Sequence, residues 1–122
     1  MKTTQKKAIN AYRTIAKLSQ QPMNSFTAYK MFKLKKALND PFEFVSEQEK
    51  KFVDEIGGVI NDEGRIVFKT VEDSEQYLKK RSELDETECD VNIKKTAFTL
   101  NELPDLSVAD MESLDEFVEW EE

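Results

Sequence analysis

A chain of 122 residues, 39% of them apolar and 35% charged, has the length for one domain with a buried core, and its eight Phe, three Tyr and one Trp argue against wholesale disorder. No apolar run approaches the roughly 18 residues that cross a bilayer, and the basic, amphipathic first twenty residues lack the continuous apolar centre of a secretion signal, so a soluble, unsecreted, cytoplasmic protein is expected. The formal net charge of −7 conceals a polarity along the chain, with nine basic side chains and no acid in residues 1–39 and nine acids and no base in residues 101–122.

Residues 5–19 place Ile9, Tyr12, Ile15 and Leu18 at helical spacing, with Lys6, Lys7, Arg13 and Lys17 around them. Gln20 to Asn24, with Pro22 among them, ends this helix, and Ser25 is placed to cap the next. From Ser25 to Ile56, Met31, Leu34, Leu38, Val45, Phe52 and Ile56 fall on one side of a helix. Phe26, Phe32, Phe42 and Phe44 widen that stripe, so several other elements are expected to fold onto it. Within this spine, Asp40-Pro41 followed by Glu43 resembles a fresh helix start, which favours a break or sharp kink at Pro41, the alternative being one long helix kinked there. Gly57-Gly58 ends it.

Val59-Ile60 and Ile66-Val67, either side of Asn61-Asp62-Glu63-Gly64, predict a β-hairpin. Thr70 with Asp73 opens a helix carrying Val71, Tyr77, Leu78, Arg81 and Leu84. Val91 and Ile93, then Phe98 and Leu100, alternate as strand residues do and are expected to join the hairpin in a three- or four-stranded antiparallel sheet. Ser107 with Asp110 opens a last, acidic helix with Met111, Leu114, Phe117 and Val118 on its buried face. The predicted fold is a mostly helical α+β single domain over 1–122. Residues 1–58 form a helical hairpin packed on a small antiparallel sheet, and residues 59–122 supply the β-hairpin, strands and two further helices.

The chain has no histidine, which removes imidazole acid–base catalysis, histidine-assisted nucleophiles and mixed zinc sites. The single Cys89 builds neither an internal disulfide nor a thiolate cage, and its acidic neighbours should raise its pKa. With three glycines there is no phosphate-cradling loop. Asn61-Asp62-Glu63-Gly64 and the acids Asp85, Glu86, Glu88 and Asp90 do not follow the calcium-loop pattern and read as turn chemistry and solvated charge. A non-enzyme with no catalytic residue, cofactor or metal is expected.

Two surfaces remain as candidates for binding. Lys17, Lys30, Lys33 and Lys36, interleaved with Tyr12 and Tyr29, could present a basic face to nucleic acid, or could pair with the acidic end of the same chain. Asp105, Asp110, Glu112, Asp115, Glu116 and Glu119 could imitate nucleic-acid phosphates and inhibit a nucleic-acid-binding or defence protein, or could simply attract the amino-terminal half.

The order of segments resembles a family of small bacteriophage and prophage proteins of unknown function. The residues that carry the likeness are Ala11-Tyr12, Ile15-Ala16 and Leu18; Ala28, Phe32, Leu34 and Ala37-Leu38; Gly57-Gly58; and Val91, Ile93, Phe98, Leu100, Glu102-Leu103, Ser107, Asp110 and Leu114. The resemblance implies a phage-encoded origin and lends no catalytic residues. Together these readings favour a protein-interaction module that associates with itself through the uncovered part of the long helix. The acidic inhibitor is the alternative, with nucleic-acid binding, which the net charge opposes, behind it.

Overall fold

The computed structural model describes residues 1–121, so Glu122, the last acid of the carboxy-terminal run, lies outside the described residues. Four side chains that hydrogen-bond the exposed amides of a first helical turn mark where the helices begin. Thr4 accepts from the Lys7 amide at the start of α1 (Gln5–Leu18), and Asn24, one residue before the expected Ser25, accepts from the Phe26 amide to open α2 (Ser25–Ile56). Thr70 accepts from the Asp73 amide ahead of α3 (Val71–Asp85). Ser107 and Asp110 bond reciprocally at 3.0 and 3.1 Å ahead of α4 (Val108–Leu114).

The expected break at Pro41 is absent. α2 runs as one helix of 32 residues, because Pro41 is buried and the turns on either side of it are held by packing against α1. It ends at Gly57, whose φ of 88° lies in the left-handed region that glycine enters freely.

Among the described residues, six short strands accompany the helices. β1 (Lys2–Thr4) pairs antiparallel with β4 (Glu88–Asp90), and β2 (Val59–Ile60) pairs antiparallel with β3 (Ile66–Val67). β5 (Thr96–Thr99) pairs in parallel with β6 (Val118–Glu121). The expected three- or four-stranded sheet is therefore replaced by three separate two-stranded ladders. Its predicted strand over Val91 and Ile93 does not form, since the Ile93 amide bonds back to the Val91 carbonyl and turns the chain there. Strand pairing falls just before, at Glu88–Asp90, where β1 supplies a partner that apolar alternation does not reveal.

The last helix is also shorter than expected. It stops at Leu114, and Phe117 and Val118 are buried beyond it, Val118 as the first residue of β6. A parallel pair needs a crossover connection, and α4 supplies it.

The main core lies between the first two helices and the carboxy-terminal third. Ala8, Ala11, Ile15 and Leu18 of α1 meet Met31, Leu34 and Leu38 of α2, and Phe98, Leu114, Phe117 and Val118 close over them. Each large side chain removed from water here contributes about 1.5–3 kcal/mol. A second cluster joins Ile9, Val45 and Leu84, with Tyr12 stacked on Phe42 at 4.1 Å, so α1 runs back along α2. α3 docks through Tyr77 and Leu84, tied by Arg81 to Glu49 of α2 and Asp85 of its own last turn. Val71 and Leu78 of the same helix point to solvent.

Candidate interaction surface

Three pairs among the described residues join the basic beginning of the chain to its acidic end. α1 and α4 are brought together by the core, and Lys17 Nζ donates to Asp110 Oδ1 at 2.6 Å. Lys30 of α2 donates to Glu102 Oε1 at 2.9 Å and to the Ala97 carbonyl at 3.0 Å, with its ammonium 5.2 Å from the centre of the Phe98 ring. Lys7 and Glu116 approach to 3.5 Å. Of the four lysines expected on one basic face, Lys17, itself exposed, and Lys30 are thus paired with the acidic end of the chain, and Lys33 and Lys36 are exposed on α2 without an ion pair among the described residues. Tyr12, expected beside them, is half-buried on Phe42; Tyr29 is exposed, with Lys33 Nζ 5.6 Å from its ring centre.

The expected acidic face is divided in the same way. Asp110 is buried, Glu116 is half-buried against Lys7, and Asp115 accepts a hydrogen bond from Trp120 Nε1 at 3.2 Å. Asp105, Glu112 and Glu119 are exposed, but on a loop, on α4 and on β6 respectively. Among the described residues, no group of three acidic or cysteine side chains converges to hold a metal ion. Cys89 sits half-buried on β4, its thiol pKa pushed up by burial and then by Asp90 and Glu116.

The hydrogen bond from Lys17 holds the Asp110 carboxyl below its ordinary value; burial opposes it, and the amide and hydroxyl of Ser107 assist. Lys30 does the same for Glu102, against burial and with help from the Thr99 amide and from Thr27. A depressed folded-state pKa stabilises the fold above the unfolded value, about 4, and that contribution is lost as pH falls through the folded value. Asp110→Asn is expected to cost about 1–2 kcal/mol at pH 7, Lys17 being well exposed. Urea unfolding from pH 7 down to pH 2.5 should show the gap between wild type and variant closing below about pH 4; a gap of constant size would mean the carboxylate charge contributes nothing.

No family model, curated protein or solved structure matches this chain.

The part of the surface least used internally is the outward side of α2. Phe26, Tyr29 and Phe32 are 81, 61 and 60% exposed, and Phe44 also faces solvent. Phe26, Phe32 and Phe44 were expected to widen the buried stripe, and the structure corrects this. α1, β5 and α3 cover only the Met31–Leu34–Leu38–Val45 side, and at 100° per residue these three rings project away from it. That angular test was available from the sequence alone. Beside these rings, Tyr29, Phe32, Lys33, Lys36 and Asp40 line a groove of about 470 Å³, bounded across from α2 by Asp90 and Asn92.

Among the described residues no helix is long and apolar enough to cross a membrane.

Proposed function

We propose that this chain is a non-enzymatic, bacteriophage-encoded protein-interaction module of the host cytoplasm that associates with further copies of itself through the outward face of α2. The observation that carries this reading is the exposure of Phe26, Tyr29 and Phe32 within two turns of one helix, an aromatic surface whose desolvation by a partner is favourable. The likeness of the chain's apolar pattern to small bacteriophage and prophage proteins supports the origin. Pairing of Lys17 with Asp110 and of Lys30 with Glu102 removes charges that the nucleic-acid and phosphate-mimic readings would draw on, and so favours association over both.

Sedimentation velocity of the intact chain from low to high micromolar concentration tests the proposal. Self-association should appear, and Phe26→Ser with Phe32→Ser should weaken it by tenfold or more, about 1.4 kcal/mol. Val71→Ser with Val108→Ser, at residues 74 and 72% exposed on other elements, should leave it unchanged. A strict monomer at high micromolar concentration, or equal effects of the two pairs, would overturn the reading.

A further inference from the structure

Along the outward side of α2, Phe26, Tyr29, Lys33, Asp40, Phe44 and Glu47 are all exposed. At 100° per residue they fall within an arc of about 60° and extend over about 30 Å of helix. Their spacing is symmetric about the midpoint between Lys36 and Ala37, and so is much of their chemistry: aromatic at 29, lysine at 33, aspartate at 40, aromatic at 44. The charge of the whole helix changes sign at the same midpoint. Ser25 to Leu38 carries four lysines and no acid, whereas Asn39 to Ile56 carries six acids and two lysines. Among the described residues, Lys33, Lys36, Asp40 and Glu47 join no ion pair.

From this, and resting on the reading of α2 as a self-association surface, we infer that the occupant of the face is the α2 of one second copy, laid antiparallel about a twofold axis beside Lys36 and Ala37. In that arrangement Lys33 faces Asp40 of the second copy and Tyr29 faces its Phe44, each pair occurring twice by symmetry. The groove beside Tyr29 and Phe32 gives the incoming Phe44 ring room. A parallel arrangement sets Lys33 against Lys33 and basic half against basic half, and so is repelled. The interface is closed, because the same patch is used on both copies, and it ends at a dimer rather than a filament.

Charge exchange at the two exposed positions of the intact chain tests the geometry. Lys33→Asp alone and Asp40→Lys alone each create two like-charge contacts and should weaken the dimer by about tenfold at low salt. The double variant Lys33→Asp with Asp40→Lys rebuilds both pairs and should recover to within about threefold of wild type. In a Cys89→Ser background, a short bismaleimide should join Lys36→Cys chains into covalent dimers, position 36 lying beside the axis, while Phe26→Cys chains, far from their symmetry mates, stay single. If the double variant is as weak as the two single effects added, or Phe26→Cys cross-links as readily as Lys36→Cys, the antiparallel arrangement is overturned and self-association by some other geometry stands. A wild-type chain that stays monomeric overturns both.

Discussion

Replacing Phe98 by Ala is expected to cost about 3–5 kcal/mol, enough to lower the midpoint of thermal unfolding by more than about 10 °C. Phe98 is fully buried at the centre of β5, in the cluster where α1 and α2 meet the carboxy-terminal third. Its loss leaves a cavity that rigid neighbours on two long helices cannot fill, so the cost combines lost transfer energy with lost contacts. The ring also carries the ammonium of Lys30, so the variant should loosen the Lys30–Glu102 pair as well. Urea or thermal unfolding followed by circular dichroism measures the effect; a loss below about 1 kcal/mol would mean the ring is not enclosed as described.

Pro41→Ala works in the opposite direction. An interior proline gives up one hydrogen bond of the helical ladder and crowds the preceding turn, at a cost of about 3 kcal/mol. The ring is buried, so alanine forfeits about 1 kcal/mol of packing, and the net expectation is a gain of about 2 kcal/mol in unfolding free energy. The variant should also raise amide-exchange protection in the turns around Asp40, which the native helix leaves with a missing bond. A destabilised variant would show instead that the pyrrolidine ring contributes more to the core than its missing amide costs.

The helices were largely legible in the sequence because their signals are local. Thr70, Ser107 with Asp110, Gly57 and the turn at Asn61–Gly64 act through neighbours within four residues, and each stands where its chemistry places it. Of the two readings at Pro41, the break rests on a start signal that is equally local, whereas the packing of Leu38 and Val45 on α1, which holds one continuous helix, is not local. β1, β4 and β6 were hidden for the same reason. Two to four residues carry no periodicity, and what makes Lys2–Thr4 a strand is Glu88–Asp90 in a distant part of the chain. The candidate surface was half legible. The attraction between the basic beginning and the acidic end was readable as one possibility, and the Lys17–Asp110 and Lys30–Glu102 pairs realise it. The outward aromatics of α2 read as core by residue type and as surface by their angle on the helix, and the structure follows the angle.

The ladder between β1 and β4 and the crossover that sets β6 beside β5 bear on how the chain is made. Both the first strand and the floor of the main core wait for partners encoded near or after residue 90. A growing polypeptide that has released only α1 and α2 from the ribosome therefore shows water two greasy sides of one helix, the side destined for Phe98 and Phe117 and the side bearing Phe26 and Phe32. Until the final strand emerges, those two sides are open to aggregation.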